Sequence, residues 1–242
     1  MGLTVQEVDK LTGPLIGRPK SATFRTIDVV GLDTLVHTAN GVAENAPDDE
    51  KHDTFRLPDF VQAMMDKNWL GSKTGQGFYK KVTESDGSKK ILSLDLNTLE
   101  YKESGKVKFA TLAMTKNIDK VIDRFPVLVK GQDKAGEFYR RTLAAIFAYA
   151  SNRIPEISDE LYRIDDAMRA GFGWEHGPFE IWDAIGVERG LKLIDEAGEH
   201  AAKWVSEMLD SGQVSFYTVN KGVKSYYDVQ RKEQVEIPGQ GA

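Results

Sequence analysis

The chain has 242 residues, 40% of them hydrophobic, and sets 32 Lys plus Arg against 37 Asp plus Glu for a net charge of -5. That is apolar material enough for a core in one large domain or two small ones, and so balanced a charge argues against a general nucleic-acid or membrane-surface binder. Cysteine is absent, which excludes a disulfide, a thiolate nucleophile and a cysteine-based metal site and fits a reducing, cytoplasmic setting.

The longest apolar stretch, residues 142–150, has about half the length a membrane-spanning helix requires, and the N-terminus lacks the basic-then-apolar order of a signal peptide. The first four residues lead almost directly into a helix signal, so the start reads as a boundary inside a longer protein. Thr4 and Glu7 form a capping box, and the helix they open carries Val5, Val8 and Leu11 before Gly13-Pro14 ends it. After a loop at 13–21, one helical pattern runs over 22–39 through Phe24, Ile27, Val30, Leu35 and Val36; the acidic stretch 43–53 reads as an exposed loop. Pro58 opens a third helix with Phe60, Val61, Met64 and Met65 inward. Residues 91–101 alternate apolar and polar about Asn97-Thr98, which predicts a short hairpin. Helical spacing resumes at Ile118, Val121 and Ile122, breaks at Pro126, and returns in Leu143, Ile146, Phe147 and Ala150. Ser158 is a candidate N-cap for a helix through Leu161, Ile164 and Met168 that Gly171 would stop, and the remainder is expected to be mostly helix.

An internal repeat organises the chain. The order Asp9, Gly17, Phe24, Asp28, Gly31 recurs as Asp165, Gly173, Phe179, Asp183, Gly186, and a Lys-Gly-aromatic tail is expected to follow each copy, at 73–79 and 221–227. Two copies of a unit too small to bury its own face would bury it against each other.

A self-contained catalytic site does not emerge. No Gly-x-Gly-x-x-Gly lies between a strand and a helix, and in Gly71-Ser-Lys-Thr-Gly75-Gln-Gly77 the Lys-Thr pair precedes the later glycines, which is not the phosphate-loop order. His37, His52, His176 and His200 lack the spacing that puts two imidazoles on one helix face, and no Gly-x-Ser-x-Gly elbow supports a triad.

The stretch Gly17-Arg-Pro-Lys-Ser-Ala-Thr-Phe24-Arg25-Thr26, with Asp28-Val-Val-Gly31-Leu-Asp33-Thr34 after it, resembles the C-terminal domain of 3-hydroxyacyl-CoA dehydrogenases. Gly173-Trp-Glu-His-Gly177-Pro178-Phe179-Glu180 is similar to that family's Gly-Tyr-Pro-Met-Gly-Pro-Phe-Glu loop, and Lys73-Thr-Gly-Gln-Gly-Phe78-Tyr79 to its Lys-Thr-Gly-x-Gly-Phe-Tyr ending. The two-copy order resembles the long multifunctional fatty-acid oxidation enzymes, where the second copy takes the part a second subunit plays in short dimeric forms. The fold expected is all-α: two related helical repeats of the 6-phosphogluconate dehydrogenase C-terminal-domain-like type, at 1–133 and 134–242, with a small hairpin insertion in the first and a ragged tail after Val229.

The resemblance implies NAD as cofactor, bound mainly by an N-terminal domain absent from this chain, and an acyl-CoA substrate of β-oxidation. Its implied partners are the NAD-binding domain of the same polypeptide and, from the long-enzyme likeness, an enoyl-CoA hydratase domain. The family's catalytic His and Glu lie on the NAD-binding domain and have no matching position, so no catalytic residue is assigned and the chain alone is expected to be inactive. Arg18, Lys20 and Arg25 around the first loop are candidates for the phosphates or thioester arm of CoA, or form a solvated basic loop; Ser21 either donates to the substrate carbonyl or holds the turn. The family's substrate-side Asn falls on Asn152, in Phe147-Ala-Tyr-Ala-Ser-Asn152-Arg153, where capping or cross-linking of helices is the simpler use of an amide. Trp174, Phe179 and Trp182 read as core more than acyl pocket, and His176 as structural for want of a carboxylate to orient it. The rival readings are the helical domain of a 6-phosphogluconate or β-hydroxyacid dehydrogenase and a non-catalytic interaction scaffold.

Overall fold

A computed structural model describes residues 1–240. The chain packs as two units: Gly2–Leu15 with Lys20–Val107 (the N-terminal unit), and the residues from Lys108 onward together with Met1 and Ile16–Pro19 (the C-terminal unit). Both are mainly helical, as the all-α reading expects, and each also carries a small antiparallel sheet, of which only the first was expected, as a hairpin.

In the N-terminal unit, α1 (Val5–Leu11) starts on the predicted capping box: Glu7 N donates to Thr4 Oγ1 and Thr4 N to Glu7 Oε1. The single helix predicted over 22–39 is two, α2 (Phe24–Val30) and α3 (Leu32–Asn45). The break is Gly31, whose φ of 111° no side-chain-bearing residue adopts without strain. After α4 (Asp59–Asp66), N-capped at Pro58, come β1 (Tyr79–Thr83), β2 (Lys89–Leu94) and β3 (Tyr101–Glu103) in that order in one sheet. The predicted hairpin is the β2–β3 pair, and β1 adds the outer strand. The core gathers Val5, Leu32, Val61, Met64, Leu94 and Phe78, with Phe24 packed 4.6 Å from the Phe78 ring.

The C-terminal unit begins with α5 (Ala110–Met114) and α6 (Val121–Leu128). Pro126 does not end α6 as expected: it lies inside this two-turn helix, which forgoes the single backbone bond that the proline cannot donate. The long α7 (Lys134–Asn152) is N-capped by Asp133 and buries Ala135, Tyr139, Leu143, Phe147 and Ala150 on one stripe. Next is α8 (Leu161–Phe172), whose N-cap is Glu160 rather than Ser158 and which ends at Gly173, φ 65°, rather than Gly171. Then follow α9 (Pro178–Ile185), α10 (Val187–Glu196) and α11 (Lys203–Asp210). The chain closes on β4 (Tyr217–Asn220), β5 (Val223–Asp228) and β6 (Glu233–Glu236), a second three-stranded sheet where helix and a ragged tail were expected. Phe147, Phe179, Trp182, Trp204 and Phe216 form its aromatic core, with Phe147 stacked on Trp182 at 5.1 Å and Phe216 edge-on to Trp182 at 4.9 Å.

The segments α1 to β3 and α8 to β6 therefore follow one order: helix, loop, two helices split at a positive-φ glycine, helix, three-stranded sheet. No helix among the described residues is long and apolar enough to cross a membrane.

Candidate functional site

The recurring aspartates shape the loop that carries the candidate residues. In the N-terminal unit Asp9 accepts from the backbone N–H groups of Thr23, Phe24 and Arg25 at 3.0, 2.6 and 3.0 Å and from the Tyr79 hydroxyl at 2.6 Å. It thus satisfies the first-turn donors of α2 that have no partner inside the helix. Asp28, at the other end of α2, accepts from Phe78 N and Tyr79 N at 2.8 and 2.9 Å. The C-terminal unit repeats both clamps: Asp165 accepts from Phe179 N, Glu180 N and the Tyr217 hydroxyl, and Asp183 from Phe216 N and Tyr217 N. The counterpart of Phe78-Tyr79 is accordingly Phe216-Tyr217, not the tail at 221–227 expected from the sequence.

These clamps explain the Lys-Thr-Gly-x-Gly-Phe-Tyr motif. A Cβ on Gly71 would stand 2.3 Å from the Asp28 carbonyl oxygen, and one on Gly77 would stand 2.2 Å from its carboxylate, so both glycines permit the approach that lets Asp28 reach the strand. Burial pushes the Asp28 carboxyl above the usual carboxylate range, and Asp165 and Asp183 up to about 7, against the pull of their backbone donors. Tyr79 and Tyr217 are raised for the same reason, burial first and the adjacent carboxylates after it.

In the N-terminal unit Ser21 stands on the clamped loop with the exposed Lys20 beside it, and Arg25 lies in the first turn of α2. Ser21 holds the turn, its Oγ and carbonyl oxygen accepting from Thr26 Oγ1 and Thr26 N. Arg25 is exposed and lines a cleft of about 300 Å³ with Asp28, Gly71, Ser72, Gly75, Gln76, Tyr79, Lys81 and Ile91. Lys73 is tied to Asp33 at 2.5 Å. Arg18 instead packs in the C-terminal unit, its guanidinium 4.0 Å above the Trp174 ring, and burial lowers its pKa to about 10.

Asn152, at the end of α7, donates through Nδ2 to Ala148 O at 3.0 Å and to His200 O at 2.8 Å, so its amide protons join α7 to the segment before α11. Phe179 and Trp182 are fully buried core, while Trp174 is only half-buried. His176 does have carboxylate neighbours, Glu180 Oε2 at 3.4 Å from Nδ1 and Glu175 Oε1 at 3.7 Å from Nε2, but Glu180 also pairs with Arg169, and burial lowers the imidazole pKa. Ser72, Tyr79 and Lys81 carry no role legible in the sequence alone. For Tyr79 the repeated aspartates are the available signal, because a partner that satisfies them must also recur.

A family model, 3-hydroxyacyl-CoA dehydrogenase, C-terminal domain, matches residues 1–81 and 136–226. The chain belongs to this family. A Bacillus subtilis (strain 168) protein named "Probable 3-hydroxyacyl-CoA dehydrogenase" is 45% identical over 227 residues, covering 94% of this chain and 28% of that protein. The fatty acid oxidation complex subunit alpha of Psychrobacter sp. (strain PRwf-1) is 45% identical over 67 residues, 26% of this chain and 8% of its own length. The chain thus spans less than a third of either relative. The crystal structure of 3-hydroxybutyryl-CoA dehydrogenase from Escherichia coli K12 aligns with a TM-score of 0.49 at 20% identity, over 85% of this chain and 55% of that one.

Proposed function

We propose that this chain is the acyl-CoA-facing, domain-pairing region of an NAD-dependent 3-hydroxyacyl-CoA dehydrogenase of fatty-acid β-oxidation. The observation that carries the reading is the family match falling on both repeats, supported by the named relative that aligns over 94% of the chain. In this reading NAD and the proton-transferring groups belong to an N-terminal domain of the same polypeptide. Hydride passes there between the cofactor and carbon 3 of the hydroxyacyl group, and this chain orients the thioester and its CoA arm. Arg18, Lys20 and Arg25 supply positive charge toward the CoA phosphates, and Ser21 a hydroxyl toward the thioester. Both amide protons of Asn152 are taken by main-chain oxygens, so its contribution to the substrate falls to Oδ1. An enoyl-CoA hydratase domain is the further partner, in keeping with the fatty acid oxidation relative.

The test is NADH oxidation with acetoacetyl-CoA by this chain alone and by the same chain joined to its upstream region. Activity in the joined form alone is expected. Activity in neither form would refute the reading, and activity in the short chain would refute the assignment of the proton-transferring groups to another domain.

A further inference from the structure

The cleft beside the glycine-rich loop differs between the two copies in a way the shared fold does not require. Arg25 on α2 and Lys81 on β1 put two exposed cations on its rim, and no carboxylate among the described residues forms an ion pair with either. Ser72 and Gln76 add a hydroxyl and an amide, Tyr79 forms a wall, and Ile91 lies 53% exposed beside them. Asp28 lines the cleft too, but Phe78 N and Tyr79 N each hold one of its carboxylate oxygens. At the matching positions of the C-terminal unit the charges are settled internally. Counting from the clamps, Glu180 replaces Arg25 and is ion-paired to Arg169. Val219 replaces Lys81, and Lys224, in the register of Ile91, lies 4.3 Å over the Tyr217 ring. The connection before Phe216 is a short Ser211–Ser215 stretch without the glycine lobe.

A fold that engages the charges at this place in one copy, and in the other leaves two cations without an ion pair over a cavity of about 300 Å³, has kept the latter for a ligand. We propose that the N-terminal cleft binds a phosphoryl group, with Arg25 and Lys81 supplying charge and Ser72 and Gln76 supplying hydrogen bonds. A fork-shaped guanidinium, an ammonium and two neutral donors suit a tetrahedral dianion with several acceptor oxygens. The source is either free phosphate or the nucleotide end of a larger ligand. Assigning it to the nucleotide end of coenzyme A rests on the acyl-CoA reading above, whereas the site itself does not.

The experiment is titration of this chain with inorganic phosphate, adenosine 3′,5′-bisphosphate and coenzyme A at low ionic strength, by calorimetry and by amide chemical shifts. We expect saturable binding of the bisphosphate, with shifts at Ser72, Gly75, Gln76 and Lys81. Arg25→Glu and Lys81→Ala should each weaken it at least tenfold and Lys192→Ala, on an exposed face of α10, should not. Both cleft side chains are exposed, so the variants are expected to fold, with circular dichroism as the check; the shifts on the unmodified chain test the site without any variant. Binding of phosphate or bisphosphate at these amides without competition by coenzyme A would support the site and count against the acyl-CoA reading. No saturable binding by any of the three, shifts elsewhere, or affinity indifferent to both substitutions would overturn the proposal.

Discussion

The Tyr217 hydroxyl donates to Asp165 Oδ2 at 2.7 Å, and 138 residues earlier in the chain Tyr79 does the same for Asp9 at 2.6 Å. Each bond closes a clamp between the first helix of a repeat and the first strand of its sheet. Asp165 is fully buried and Asp9 only half-buried, so the same deletion costs more in the second copy. Tyr217→Phe is expected to lower unfolding free energy by about 2 kcal/mol and Tyr79→Phe by about 1 kcal/mol. Urea denaturation of the two variants checks this; equal losses would mean that burial does not set the strength of the clamp.

The clamps also fix a pH dependence. Asp165 and Asp183 keep their protons to about 7 in the folded chain and lose them near 3.9 when unfolded. Between those values the folded state binds more protons, so the stability these groups contribute is full below 3.9, declines as pH rises, and is gone above about 7. Each group can contribute a slope of up to about 1.4 kcal/mol per pH unit. Unfolding free energy measured from pH 5 to 7 is expected to fall by about 1–2 kcal/mol per unit, and Asp183→Asn to reduce that slope by roughly half. A flat profile in the parent chain would mean that the backbone donors outweigh burial.

Much of this fold is legible locally. The Thr4–Glu7 box starts α1 where the sequence places it, and the matched order of Asp, Gly, Phe, Asp and Gly marks both repeats. What was missed depends on distance or on turn chemistry. Asp9 meets Tyr79 across 70 residues, and no local pattern reports such a pairing. The second sheet hid behind Asn220-Lys221-Gly222-Val223, where Lys221 and Gly222 have φ of 49° and 82° and make a two-residue hairpin turn between β4 and β5. Lys221-Gly222 echoes Lys73-Thr-Gly75 in sequence, and that likeness shifts the expected second aromatic pair from Phe216-Tyr217 to Tyr226-Tyr227 on β5. The candidate cleft is hidden for a related reason: Arg25 is legible as a candidate for the CoA phosphates, but its neighbour Lys81 is brought in by β1, which no local pattern marks.

Two glycines should respond oppositely to alanine. A Cβ on Gly190 would stand 2.1 Å from Trp182 Nε1, whose N–H donates to Val187 O inside the aromatic core. Gly190→Ala must displace that ring, at an expected cost of about 3 kcal/mol. At Gly41, on α3, a Cβ meets nothing within 4 Å and φ is ordinary, so Gly41→Ala is expected to stabilise by about 0.5–1 kcal/mol through helix propensity. Thermal melts of the two variants should move in opposite directions. A neutral Gly190→Ala would show that the indole has room to shift.

Asn152 offers the sharpest separation of fold from function. Asn152→Ala removes both hydrogen bonds that tie the end of α7 to Ala148 O and His200 O, and the site is only partly buried, so the expected loss is about 1 kcal/mol. Ser151 beside it holds the same segment, accepting from Ala202 N through Oγ and from Trp204 Nε1 through its carbonyl oxygen. The variant should therefore keep its fold. In the dehydrogenase joined to its upstream region, a substrate role for Oδ1 is expected to raise KM for acetoacetyl-CoA severalfold, beyond any change in Ser151→Ala, whose side chain only supports the fold. If the two variants instead lose stability alike and leave KM where it was, Asn152 is a tether between α7 and the segment before α11, and substrate contact rests with Ser21 and, on α2, Arg25.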